Sequence, residues 1–301
     1  WLTRMSRIIV TGASGFIGQN ICIKYKNAIK VDFDKKFLGK HEEKIIDPFY
    51  FLENFNTIVK KGDIIVHNGA CSSTKVTDPF YVNKVNFEYS MNLLKKCIQF
   101  QARLIYASSA SVYGDGPFSE DSFKKPKNLY ALSKSMFDDY AMQFLDHVPQ
   151  VVGLRYFNVY GPHEHKKKDM ASVVMKFFIQ NKINNRIKIF NNSENYRRDF
   201  VHVKDILKII NFFVENKEVN GIYNCGTGED RSFRDIAEIF KQRYNSEIEY
   251  IEMPHELVGK YQKYTKSDNN KLSSIFSSSR IELSEGVNDY ISFLEKNGCI
   301  Y

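Results

Sequence analysis

The stretch Ile8-Ile9-Val10-Thr11-Gly12-Ala13-Ser14-Gly15-Phe16-Ile17-Gly18-Gln19-Asn20-Ile21-Cys22 decides the fold. It opens on a short apolar run of the kind a sheet buries on both faces. It turns at Gly12-x-x-Gly15-x-x-Gly18, and a helical pattern carries on to about Tyr25. Glycine permits a tight turn and lets backbone N–H groups approach a pyrophosphate. The N-terminus of the helix then favours that negative charge. The next apolar run, Ala28 to Val31, ends at Asp32. Glycines between a strand and a helix, with an acid one strand later, predict a dinucleotide at this turn.

Working outward, Ile45-Ile46 reads as a short strand and Asp63 to His67 as a continuous apolar one, followed by a long helix to about Phe100. Arg103 to Ala107 is a further strand, Asn128 to Leu145 a helix and Val151 to Tyr156 a strand. Strands alternating with helices predict an α/β protein, a Rossmann-type doubly wound parallel sheet. After about Asn158 the rhythm breaks. His163 to Asp169 is polar and irregular, Met170 to Ile179 looks helical, and Ile187 to Phe190, Phe200 to Val203 and Gly221 to Cys225 look like short strands. A helix from Ser232 to Arg243, with Ser232 as its N-cap, and a strand Ile248 to Ile251 follow. We expect a dinucleotide-binding domain over 5–158 with about 199–228, and a smaller interrupted α/β substrate domain over about 159–198 and 229–301.

Among 301 residues, 43% are hydrophobic and 26% charged, which excludes disorder as the main state. No run of eighteen apolar residues occurs, and the beginning carries no secretory pattern. Met5 is read as the natural start. Lys and Arg number 43 against 35 Asp and Glu, but the basic residues are dispersed and form no nucleic-acid motif. The excess suits an anionic small substrate. The cysteines, 22, 71, 97, 225 and 299, are odd in number and lack C-x-x-C spacing, which fits a reducing cytoplasm. His163, Glu164 and His165 match no common zinc spacing, so no metal is expected.

Asp32 can bind an adenosine ribose, which favours NAD; Lys35 and Lys36 can neutralise a 2′-phosphate, which favours NADP. The residues leave both open. Ser108-Ser109-Ala110-Ser111-Val112-Tyr113-Gly114 stands at a strand end, and Tyr130-Ala131-Leu132-Ser133-Lys134 follows. Four residues on a helix put Tyr130 and Lys134 on one face. A tyrosine is a poor base at neutral pH, but a neighbouring ammonium favours its phenolate. Ser109 can hold a substrate hydroxyl beside it. Together these residues resemble an extended short-chain dehydrogenase/reductase, a sugar-nucleotide epimerase or dehydratase. The dehydratase pattern wants an acid pair after the serine, where this chain has Ala110 and Ser111.

Further stretches resemble the ADP-heptose 6-epimerase branch of that family over nearly the whole chain. They are Gly69-Ala70-Cys71-Ser72-Ser73-Thr74, Arg155-Tyr156-Phe157-Asn158-Val159-Tyr160-Gly161-Pro162, Met170-Ala171-Ser172-Val173, Ser193 to Val201 and Gly259-Lys260-Tyr261-Gln262. The resemblance implies hydride removal from C6 of the heptose by bound NADP while a base takes the hydroxyl proton. A transient 6-keto sugar turns over in the site, and hydride returns to its other face. It implies Tyr130 as one acid/base, supported by Ser109 and Lys134, and a lysine after Pro162 as the other. A count without gaps places that lysine at Lys167, where the family shows His-Lys-Gly and this chain Lys166-Lys167-Lys168; His165-Lys166 is the alternative if the loop shifts. Without the resemblance these are three solvated lysines.

The resemblance also implies cofactor contacts from Gly12, Gly15, Phe16, Ile17, Gly18, Asp32, Phe33, Lys36, Asn68, Gly69, Ala70, Cys71, Ser72, Asn86, Lys134, Val159 and Lys167. Substrate contacts are implied for Ser73, Ser109, Asn158, Phe190, Asn191, Asn192, Ser193, Arg198 and Tyr261. Substrate contacts are implied for Asp169 and Lys176 as well, where the branch has serine and histidine. Arg198 could grip phosphate or pair with Asp199. A homo-oligomer, a pentamer, is implied too. Competing readings are an epimerase acting at C4 of another sugar nucleotide and a non-catalytic dinucleotide sensor.

Overall fold

The computed structural model describes residues 6–42, 44–255 and 262–298, without the side chains of 168 and 169. It divides into two compact units. The first comprises the described residues up to Gly114, Lys124–Tyr156 and Leu207–Tyr223; the second comprises Asp115–Phe123, Phe157–Ile206 and the described residues from Asn224 on.

The first unit is built on strands β1 (Ile8–Thr11), β2 (Ile29–Val31), β3 (Ile64–His67), β4 (Arg103–Ser109), β5 (Val151–Tyr156) and the start of β6 (Gly221–Cys225). They lie in the order β6-β5-β4-β3-β1-β2, and the pairs from β5 through to β2 are parallel. β1, β3 and β5 are buried at every residue, as a sheet covered on both faces requires. The chain runs outward from β1 to β2, then restarts on the other side at β3. That reversal makes a crevice at the carboxyl ends of β1 and β3. Ile45-Ile46 does not form a strand of its own; Ile46 makes a lone bridge to Val31. The run is too short to extend a ladder.

Four helices flank this sheet: α1 (Phe16–Lys24), α2 (Tyr89–Phe100), α3 (Leu129–Met142) and α4 (Val203–Glu215). Leu93, Leu94 and Cys97 of α2 pack with Phe137 and Ala141 of α3 over Ile9, Ile65 and Leu104. The sequence did not disclose α4, nor the wide π-turn at Asn83–Glu88 that precedes α2.

α3 is tied to the sheet by charge as well as by packing. Arg155 on β5 donates through Nε to Asp138 at 2.9 Å and through Nη1 to the Tyr113 hydroxyl at 2.7 Å. Tyr106 donates to the other Asp138 oxygen at 3.1 Å. Gly153 leaves room for that tyrosine: a Cβ there would lie 2.5 Å from its hydroxyl.

In the second unit, strand Arg186–Phe190 pairs in parallel with Glu247–Ile251, and Asn158–Tyr160 with Phe200–His202. Helices Val173–Asn184, Phe233–Tyr244 and Leu283–Asn297 enclose a core of Phe177, Phe240, Tyr290 and Ile291. Ser232 caps its helix reciprocally with Asp235, one side chain bonding each backbone N–H. The stretch expected as irregular holds a 3-10 turn over His165–Met170, and the helix expected from Met170 starts at Val173 behind Ser172. Ser172 accepts the Met175 N–H as the N-cap, which fixes the start of the helix there.

Asp138 and Arg155 have side chains 0% and 3% exposed. Asp138→Ala is therefore expected to cost about 3–5 kcal/mol. Removing the exposed Arg186–Glu247 pair should cost under about 1 kcal/mol. Urea-denaturation midpoints of the two variants check the contrast.

Candidate active site

Three segments meet at the carboxyl end of the first unit's sheet. The first is the glycine turn. Gly12 has φ +68°, and a Cβ on it would lie 2.6 Å from the Gly69 nitrogen. A Cβ on Gly18 would lie 2.0 Å from the Gly12 carbonyl oxygen. β1, the loop after β3 and α1 can approach this closely only because both residues lack side chains. Gly15 precedes α1, with no side-chain cap and no acid in the first turn. The first amides of the helix are thus left for an anion.

The second segment follows β2. Asp32 accepts the Ser14 N–H at 2.8 Å and the Asp34 N–H at 3.2 Å. Burial raises its carboxyl above the usual range, and these N–H bonds oppose the rise. Lys35 donates to the Ile45 carbonyl at 2.5 Å. Lys36 is exposed beside it, and Phe33, also exposed, meets the Phe49 ring at 5.5 Å between centroids.

The third segment is the loop from Asn68 to Ser72. Asn86 clamps it: its Oδ1 accepts the Cys71 N–H at 2.7 Å and its Nδ2 donates to the Cys71 carbonyl at 3.1 Å. The same Nδ2 reaches Ser133 of α3 at 3.0 Å. The Asn68 Nδ2 is buried and finds no hydrogen-bond partner among the described residues. A glycine cradle, an uncapped helix N-terminus, a carboxylate at the end of β2 and an orphaned amide together fit a dinucleotide.

Next to this crevice stand Ser109 and α3. Ser109 accepts the Ser111 N–H at 3.2 Å and the Ser111 hydroxyl at 2.9 Å. Both acceptances leave its own hydrogen to turn toward Tyr130, whose hydroxyl burial pushes up while Ser109 beside it opposes the rise. The sequence reading gave Ser111 no role; a serine two places beyond another at a strand end is its only signal. Lys134 lies one helical turn on, with Nζ 5.9 Å from the centre of the Tyr130 ring. It donates to the Ala107 carbonyl at 2.8 Å. Burial pulls its ammonium down to about 8, and the Asp138 charge opposes the fall. Lys134 therefore keeps its charge through neutral pH and sits near the range where it can lose it.

The second unit gathers the expected substrate residues into two groups. Asn158 is exposed and pairs in register with Phe200; its backbone N–H reaches the Asp199 carbonyl at 3.0 Å, and Val159 beside it is buried. Arg198 is buried, opposite Arg231, with its guanidinium on the Arg197 and Gln262 carbonyls and over the Phe233 ring. Asp199 accepts instead from Thr227, Gly228 and Ser267. The turn Ser193–Asn195 packs against the helix that starts at Phe233, and Ser193 Oγ is buried without a partner among the described residues. Asn191 donates to Glu252, and Asn192 adopts a left-handed φ of +59° next to the half-buried Phe190.

The other group surrounds Lys167. Its amide donates to the carbonyl of Glu164, a residue whose carboxylate is buried against the Ser172 amide and hydroxyl. Burial lowers the Lys167 ammonium from its ordinary range, Glu164 raises it and Lys176 lowers it further. Lys176 is exposed. The Asp169 side chain and Tyr261 lie outside the described residues, and Ser73 caps a surface turn by accepting the Lys75 N–H at 3.2 Å. Among the described residues no three His, Cys, Asp or Glu side chains converge as a metal site would require.

This fold and crevice define a nucleotide-dependent sugar-modifying class, and the chain belongs to the NAD dependent epimerase/dehydratase family, whose pattern it matches over residues 8–226. It is 43% identical to an ADP-L-glycero-D-manno-heptose-6-epimerase of Brachyspira hyodysenteriae (strain ATCC 49526 / WA1), over 97% of this chain and 98% of that one. The crystal structure of the Helicobacter pylori ADP-L-glycero-D-manno-heptose-6-epimerase superposes with a TM-score of 0.84 at 27% identity, covering 96% of each chain. At 23% identity and a TM-score of 0.77, Thermus thermophilus UDP-glucose 4-epimerase, solved with NAD, shares the fold over 97% of this chain and 99% of its own. Among the described residues no helix is long and apolar enough to cross a membrane.

Gly18→Ala must push the Gly12 carbonyl out of place. We expect dinucleotide affinity to fall at least about tenfold, since a lost charge-assisted contact is worth about 1.5–3 kcal/mol. Fluorescence titration with NADPH and NADH reads the loss, with Ile23→Ala, on the exposed side of α1, as the control.

Proposed function

We propose that the protein inverts C6 of the heptose in ADP-D-glycero-D-manno-heptose to give the L-glycero epimer, through a transient 6-keto sugar, in lipopolysaccharide core biosynthesis. The arrangement of Ser109, Tyr130 and Lys134 carries this reading, and the full-length likeness to the Brachyspira protein directs it to ADP-heptose. A bound dinucleotide supplies the hydride acceptor and donor, so no net oxidation results. The glycine turn and Asp32 would hold that group, with the Asn68–Ser72 loop along it. We favour NADP, with Lys36 toward a 2′-phosphate; Asp32 is the feature that favours NAD. The first unit is proposed as the cofactor-binding domain and the second as the substrate domain. A cytoplasmic homo-oligomer is part of this proposal.

The chemistry follows from the side chains. Tyr130 takes or returns the proton of the sugar hydroxyl while Ser109 orients that hydroxyl. The Lys134 ammonium stabilises the phenolate and so brings it toward working pH. Lys167 is proposed as the second acid/base. Its lowered ammonium suits proton exchange near neutrality better than an ordinary lysine's. Arg198 and the Phe190–Ser193 segment are proposed to hold the ADP portion.

The test is proton NMR of ADP-D-glycero-D-manno-heptose with purified protein and no added cofactor. The L-glycero product is expected; no conversion, even with NADP and NAD added, overturns the assignment. Tyr130→Phe should lower kcat about 10²–10⁴-fold. In the pH dependence of kcat we expect a limb below the ordinary lysine range that Lys167→Met removes.

A further inference from the structure

His67, at the end of β3, is a buried titratable group that the chemistry above does not use. Its ring bridges two hydroxyls: Nδ1 lies 2.5 Å from Thr11 Oγ1 and Nε2 lies 2.8 Å from Ser90 Oγ. Each hydroxyl carries one hydrogen, and the neighbours fix where it goes. Ser90 Oγ lies 2.5 Å from the Asn86 carbonyl oxygen, which can only accept, so the Ser90 hydrogen points there. Ser90 must then accept from His67, which places a proton on Nε2. On the other side Thr11 Oγ1 accepts the Gly69 N–H at 3.3 Å, and its hydrogen goes to Nδ1. The hydrogens run one way, from Gly69 through Thr11, His67 and Ser90 to Asn86.

We propose that His67 is a positioning residue for dinucleotide binding: as the neutral Nε2–H tautomer it joins the strand that enters the glycine turn to the asparagine that clamps the cofactor loop. The proposal rests on the reading of this crevice as the dinucleotide site. Both ends of the relay are site elements. Gly69 is the residue against which Gly12 closes, and Asn86 holds both backbone groups of Cys71 and the Ser133 hydroxyl on α3. The π-turn at Asn83–Glu88 carries Asn86, whose backbone carbonyl accepts from Ser90 while its side-chain amide clamps the loop. Neutrality matters as well. Burial and the Lys134 charge hold the imidazolium down to about 3. A charged His67 would repel the ammonium on which Tyr130 depends.

Two measurements on the full-length holoenzyme test this. A long-range proton–nitrogen spectrum of the histidine rings should show one protonated at Nε2 alone and unchanged between roughly pH 5 and 8, and that signal should vanish in His67→Gln. An Nδ1–H tautomer, or titration in that range, overturns the proposal. The second is NADPH and NADH affinity. His67→Asn can keep the Thr11 arm and His67→Gln the Ser90 arm, so each should weaken binding about tenfold, and His67→Phe, which breaks both, more than either. The sugar-nucleotide KM at saturating cofactor should not move. Variants that melt lower yet bind dinucleotide as tightly as the parent would make the role merely structural and overturn it. If the parent protein binds neither dinucleotide, the functional reading fails first and takes this proposal with it.

Discussion

The first unit is organised around one buried ammonium. Lys134 has left water for a site where, among the described residues, the Ala107 carbonyl meets it directly. A charge in such a place shifts toward neutrality unless other groups supply a counter-field. Asp138, one turn along α3, supplies it, and Asp138 is itself held by Arg155 and Tyr106. The strut that fixes the helix is therefore also the field that keeps its lysine charged. Packing and electrostatics cannot be altered separately here.

The same economy governs the loop before α2. One asparagine side chain satisfies both backbone groups of Cys71 and reaches α3 besides. An ordinary α-turn would present that side chain from a different angle; the π-turn widens the helix where Asn86 stands. Hydroxyls and an imidazole carry the connection back to β1 through groups that hold no net charge. Neutral links suit the proposed seat of a pyrophosphate, since a buried acid among them would repel it.

Much of this was legible in the sequence. Periodicity disclosed the strands because a doubly covered sheet demands unbroken apolar runs, and Ile64-Ile65-Val66 is such a run. The glycine turn was legible because close approach excludes side chains at 12 and 18. Tyr130 and Lys134 were legible because four residues span a helical turn. What stayed hidden depends on tertiary partners. Nothing local in Asn83–Glu88 announces a π-turn, and Ser111 matters only because Ser109 has a hydrogen to give away. Arg198 read equally well as a partner of Asp199, and only the folded chain shows Asp199 spent on Thr227, Gly228 and Ser267. The short run Ile45-Ile46 shows the reverse error, apolar residues that point inward from a loop and never form a ladder.

The clamp at Cys71 has a consequence for motion. Its amide hydrogen is held by the Asn86 side chain and is shielded only while that side chain stays in place. Asn86 in turn bonds Ser133, whose hydroxyl donates to the Tyr130 carbonyl at 2.8 Å. The loop cannot loosen without loosening its hold on the first turns of α3. Solvent exchange at this one backbone hydrogen thus becomes a clock for how often the loop and its asparagine part.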